Sequence, residues 1–258
     1  MQFETFVAEF HDVPGFTIPE SLGIWDCFLR FQLEKERSAS LLEIGVYYGK
    51  SAALLAMHSR PDEQLVLVDP SEPAESALKL LQSIKPNGVR LLKNLSSDHA
   101  VWNLAGTHSR AFRWIHIDGD HKGETVYNDL LLANELLSPT GIICVDDFMS
   151  PRYPQITFTV CTFVELFCRE LRMFLCGFNK AYLVRPESLF THLTFVKTSS
   201  ETNKAFLGSI ILPFIKQTIR ILLTASASRL AGKITSTLDS MKIRRKFQFE
   251  RNESHLLA

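Results

Sequence analysis

The chain has 258 residues, 46% of them hydrophobic, and its 28 Lys and Arg balance its 28 Asp and Glu. That length and apolar content support a substantial core in one large α/β domain with elaborations, and they exclude a disordered chain. The neutral balance hides a split, because residues 204–258 hold ten Lys and Arg against three Asp and Glu, which marks either a C-terminal element with its own surface role or a solvated helical face.

The opening MQFETFVAEFHDVPGF places acids early and has no long apolar core, so no secretory leader is expected. The five cysteines form no CxxC pair and have apolar neighbours; they read as buried free thiols of a reducing, cytoplasmic compartment. The most apolar later run, Phe206 to Leu223, is broken by Pro213, Lys216, Gln217 and Arg220 and falls short of the ~20 apolar residues of a membrane span.

In chain order, Pro19-Glu20-Ser21 opens a helix through Glu34, with Leu22, Trp25, Leu29 and Leu33 near one face. Leu41 to Ile44 reads as a buried strand and Ser51 to His58 as the following helix. Between them lies the turn of LLEIGVYYGKSAALL. It ends in Gly-Lys-Ser like a phosphate loop, but Gly45 and Gly49 enclose three residues where that loop needs four. The dinucleotide fingerprint fails too, because Gly45 is followed by Val46 and Tyr47. What remains, Glu43 with Gly45, Gly49 and Ser51 at a strand-to-helix turn, suits a nucleoside with a cationic arm such as S-adenosylmethionine.

Gln64 to Val68 is the second strand, ending in Asp69-Pro70, and Ala74 to Ile84 is a helix stopped at Lys85-Pro86-Asn87-Gly88. Val89 to Leu92 is the third strand, and a short helix lies near His99 to Leu104. Arg113 to Ile117 is the fourth strand, followed by a helix over Val126 to Leu137, a turn at Ser138 to Gly141 and a fifth strand over Ile142 to Val145. A helix from Thr157 to Leu171 precedes a hairpin of Met173 to Phe178 and Ala181 to Val184 around Asn179-Lys180. Alternating strands and helices predict an α/β fold with a doubly wound, Rossmann-like, mostly parallel sheet and an antiparallel last strand. A helical lead-in over 1–38, a domain over 39–197 and a basic helical extension over 198–258 complete the division.

Ligands of such sheets sit at the carboxyl ends of the strands, where this chain places Glu43, Asp69, Asp118, Asp120, Asp146 and Asp147. A carboxylate after strand two can accept both ribose hydroxyls, the alternative for Asp69 being a helix cap. Asp118, Asp146 and Asp147 could converge on one hard divalent cation such as Mg²⁺, the alternative being a loop with a solvated acid. His116, within its strand, reads as a core residue, and His121, just beyond the acids, as a base or outer ligand.

These segments, LLEIGVYYGKSAALL, LVLVDP, IHIDGDHKGETVYNDL and GIICVDDF, make the chain resemble the class I S-adenosylmethionine-dependent methyltransferases, in particular the macrocin-type O-methyltransferases, over roughly Pro19 to Lys197. The resemblance implies that Glu43, Gly45, Gly49 and Ser51 hold the methionine moiety and that Asp69 holds the ribose. Ser96 and Ser97 fall on the adenine side. It also implies Mg²⁺ on Asp118, Asp146 and Asp147, with His121 as the base beside Asp118.

The expected reaction is methyl transfer from S-adenosylmethionine to a hydroxyl of a small acceptor such as a sugar or other diol. Metal-independent N- or C-methylation and a catalytically silent assembly subunit are the alternatives. No nucleic-acid partner is expected. In the extension, Ile215, Ile219, Leu222, Leu230, Ile234, Leu238 and Met241 recur near helical spacing among cations. Such a stripe can pack on the parent domain or on a second subunit of a homo-oligomer, or lie on an anionic membrane surface.

Overall fold

Strands covered on both faces read as largely apolar runs; LVLV at Leu65–Val68 and FRWIHI at Phe112–Ile117 are buried at every position, the second with Arg113 and His116 among its residues. The computed structural model describes residues 3–35 and 38–202. After helices α1 (Phe3–Phe10) and α2 (Pro19–Lys35), the chain alternates β1 (Ser40–Ile44), α3 (Lys50–His58), β2 (Leu65–Val68), α4 (Pro73–Ile84), β3 (Val89–Leu92), α5 (His99–His108), β4 (Phe112–Ile117), α6 (Gly123–Leu136) and β5 (Leu137–Val145). Helix α7 (Pro154–Leu166), strands β6 (Arg172–Gly177) and β7 (Lys180–Val184), a 3₁₀ turn at Pro186–Ser188 and α8 (Leu189–Thr202) follow.

The sheet has seven strands in the order β3-β2-β1-β4-β5-β7-β6. Strands β1 to β5 pair in parallel, and β7 enters antiparallel between β5 and β6, as the sequence predicts. Phe178 and Asn179, both at positive φ, make the tight turn of the closing hairpin. Strand order reverses between β1 and β4, so their carboxyl ends open a crevice there. Helix α2 covers the sheet with Trp25, which meets Trp114 of β4 edge-on at 5.2 Å with both rings fully buried.

Three local expectations are revised. Helix α5 runs four residues past Leu104, to His108. Helix α7 starts earlier, with Pro154 in its first turn, and ends at Leu166, so that Leu171 enters the core from a turn. Ser138 to Gly141 belongs to β5, but as an irregularity: Leu137 pairs with Phe112 and Ile142 with Trp114, so the extra residues bulge out and expose Pro139 and Thr140. Of the cysteines, Cys144 and Cys176 are buried and Cys27 and Cys161 half-buried, whereas Cys168 is exposed; all are free thiols. No helix among the described residues is long and apolar enough to cross a membrane. The expected extension lies outside the described residues beyond Thr202.

Candidate active site

The turn between β1 and α3 is built around two glycines at positive φ. A Cβ on Gly45 would lie 1.9 Å from the Asp118 carbonyl oxygen, so only glycine lets the β1 and β4 ends approach each other. A Cβ on Gly49 would lie 2.9 Å from the Ala77 Cβ; this glycine seats α3 against α4 rather than facing a ligand. Beside the turn is a cavity of about 710 Å³, within the roughly 300–1,000 Å³ of small-molecule sites. It is lined by Gly45, Ser51, Asp69 and Ser96 and also by Asp118, His121, Asp146 and Asp147.

Most of the expected residues therefore meet in one place, and the remainder stand behind the wall. Glu43 is fully buried and does not line the cavity; it accepts from Ser51 Oγ at 2.5 Å and contacts His116 Nδ1 at 2.8 Å. It holds Ser51, which does line the cavity. Gly49 and Ser97 are likewise outside the cavity wall, in contrast to Ser96. Asp69 caps no helix. Its Oδ2 accepts the amides of Val46 and Tyr47 at 2.7 and 2.8 Å, and its Oδ1 that of Ser71. Burial works to raise its pKa, but these hydrogen bonds outweigh it and hold the carboxyl below the ordinary value. Asp69 thus shapes the glycine loop while facing the cavity.

Beyond the carboxyl ends of β4 and β5, His121 Nε2 lies 2.8 Å from Asp147 Oδ2, and its ring stacks on Tyr153 at 4.0 Å. The closing hairpin reaches the same place: Asn179 Nδ2 donates to Asp147 Oδ1 at 2.6 Å, and Lys180 Nζ is ion-paired with Asp146. Neither residue was legible as functional, since Asn179-Lys180 reads as a turn. The available signal was a lysine in the otherwise apolar strand KAYLV, directly beside the acidic strand ends. His116 is the packed residue expected, edge-on to Trp25 at 4.5 Å, yet its Nε2 stands 3.9 Å from Asp146 Oδ2.

Burial and the neighbouring Asp146 charge push the Asp118 carboxyl well above the usual range. Burial also opposes the charge of Asp146, but Lys180 and His116 prevail and hold it low. The candidate metal ligands form two groups that share Asp118: one with His116 and Asp146, the other with His121 and Asp147, each with ligand atoms within 4.8 Å of one another. The three aspartates expected on one ion are thus divided between neighbouring positions.

The glycine turn after β1, the acid after β2 and the acids beyond β4 and β5 of this mostly parallel sheet meet at one cavity, the arrangement expected of a methyltransferase domain. Residues 42–148 match the family model described as a methyltransferase domain. A protein of Acanthamoeba polyphaga mimivirus, called uncharacterized protein R132, is 29% identical over 121 residues, 45% of this chain and 54% of its own. The chain thus matches about half the length of that curated relative.

Among solved structures, CalS11, described as a TDP-rhamnose 3'-O-methyltransferase of calicheamicin biosynthesis, is similar with a TM-score of 0.52 and 17% identity over 64% of this chain and 78% of its own. The O-methyltransferase NovP gives 0.54 and 16% over 65% and 80%. MycE, solved with Mg, SAH and mycinamycin VI, gives 0.52 and 14% over 71% and 54%. At such identities the likeness is one of fold.

Proposed function

We propose that this protein transfers a methyl group from S-adenosylmethionine to a hydroxyl of a small acceptor, a sugar or other diol, with His121 taking the hydroxyl proton. The observation that carries the reading is the His121–Asp147 pair at 2.8 Å in the same cavity that the glycine turn and Asp69 line. S-adenosylmethionine supplies a methyl already activated by its sulfonium, so the protein has chiefly to align the acceptor oxygen and accept its proton. With His121 Nε2–H donated to Asp147, Nδ1 is the basic nitrogen, and Tyr153 stacked on the ring holds its plane. Gly45, Ser51, Asp69 and Ser96 form the cofactor side, with Glu43 fixing Ser51 from behind.

The donor set also fits a hard cation, because burial and the neighbouring Asp146 charge oppose a negative Asp118, an opposition that a bound cation would offset. Asp118 and Asp147, with Asp146 adjacent, would hold Mg²⁺, which would lower the pKa of acceptor hydroxyls and orient them. The description of CalS11 as a TDP-rhamnose 3'-O-methyltransferase supports a sugar hydroxyl as the acceptor class. We also propose a cytoplasmic location and, for the 198–258 extension, association with a second copy. Flotation of the full chain with anionic liposomes would instead support membrane contact.

The test is calorimetric titration with S-adenosylmethionine, its demethylated product and NAD, followed by methyl transfer to a panel of sugars and catechols. Binding of the first two ligands and methylation of a diol is the expected result. Preference for NAD, or methylation of amines alone, would overturn the reading.

A further inference from the structure

The closing hairpin carries a cation into the acceptor side of the site. Lys180 is the first residue of β7, its side chain is 8% exposed, and its ammonium is paired with Asp146, whose side chain is 11% exposed. The same ammonium stands 5.8 Å from the centre of the Trp25 ring, itself fully buried. The remaining oxygen of Asp146, Oδ1, accepts the Asp147 amide at 2.7 Å, and His116 Nε2 lies 3.9 Å from Oδ2. Asp146 is therefore engaged from β7, from β4 and from its own backbone. Asp147, one residue on, turns the other way to His121 and Asn179.

We propose that Lys180 is a resident counter-cation that competes with a divalent metal for Asp146. The inference rests on the acceptor-side reading above. A carboxylate in contact with a buried ammonium cannot also ligate a dication without bringing two like charges together in a poorly solvated place. A metal is thereby restricted to Asp118 and Asp147, two carboxylates in place of three, and bound weakly. Lys180 supplies from the protein part of the positive charge that a metal would otherwise bring, and it is a positioning residue for the acid cluster rather than a base.

The probe is Mn²⁺, titrated into the full-length protein and followed by the paramagnetic resonance signal of the free ion. Lys180→Met is expected to bind Mn²⁺ roughly 10–100-fold more tightly than the parent, the scale on which groups around metal ligands act. Lys180→Arg, which keeps the charge, is expected to show no gain. Lys180→Gln, which keeps a hydrogen bond to Asp146, replaces the methionine variant if that one does not fold. As an independent arm, Asp146→Asn is expected to leave the parental Mn²⁺ affinity largely unchanged while Asp147→Asn weakens it. Equal Mn²⁺ affinity in the parent and the neutral variants would overturn the proposal. So would a loss in Asp146→Asn as large as that in Asp147→Asn. Calorimetry with S-adenosylmethionine on the same proteins keeps the two readings apart: a chain that binds no cofactor yet gains Mn²⁺ on loss of Lys180 would sink the methyltransferase reading and leave the competition standing.

Discussion

Strand β4 carries a buried polar cluster at each end, and the two are built differently. At its amino end, Arg113 is fully buried and donates from Nε and Nη2 to the two oxygens of Glu63, each at 2.8 Å. Its Nη1 reaches Gln32 Oε1 at 3.0 Å, and Gln32 Nε2 donates back to the Arg113 carbonyl. The Glu63 carboxyl stays below the ordinary range although burial opposes its charge, because Arg113 outweighs burial. At the carboxyl end, Glu43 Oε2 and His116 Nε2 have no hydrogen-bond partner, and the Asp118 carboxyl is pushed up by burial and by Asp146. One end is closed and satisfied, as a structural ion pair must be to offset its desolvation. The other holds unpaired capacity beside a cavity, which is where ligands find partners.

The contrast can be broken from either end. The largest effect is expected at the closed one: Arg113→Met leaves Glu63 buried and unpaired and should cost about 3–5 kcal/mol of stability, read as a drop in the urea midpoint. Its folded fraction should still bind S-adenosylmethionine. An unchanged midpoint would show that the pair is not the anchor it resembles.

At the open end the cost should fall on the reaction instead. His121→Ala is expected to lower kcat about 10²–10⁴-fold, the usual range for a general base, with a change in unfolding free energy under about 1 kcal/mol for this partly exposed side chain. A large loss of stability with kcat retained would reverse the comparison.

Asp69→Ala should weaken S-adenosylmethionine binding by about 1–3 kcal/mol. Because Asp69 also takes the Val46 and Tyr47 amides, some stability should go with it. Full cofactor affinity in the folded variant would remove Asp69 from the ribose.

The smallest effect sharpens the comparison through pH. Burial of Asp129, only partly offset by Ser96, raises its carboxyl to about 6. The folded chain therefore holds a proton that the unfolded chain has lost between the ordinary carboxylate pKa and about 6, so stability falls as pH rises through that window and stays lower above it. Asp129→Asn should gain about 1–2 kcal/mol at pH 7.5 and almost nothing at pH 4. A gain of equal size at both values would exclude the carboxylate charge as its cause.

The order of strands and helices was legible in the sequence because both periodicities are local, and the acids at the strand ends because each closes an apolar run. The glycine turn was legible as well, by the failure of its spacing to fit a phosphate loop. Local pattern could not show which side of that turn each residue faces. Only the folded chain puts Glu43 behind Ser51, turns Gly49 to Ala77 and leaves Ser96 rather than Ser97 on the cavity. It alone carries Lys180 across from the last strand to Asp146, 34 positions earlier in the chain. Propensity acts within a few residues, whereas the pairing of Asp146 with a lysine and of Asp147 with a histidine depends on which strands the sheet makes neighbours.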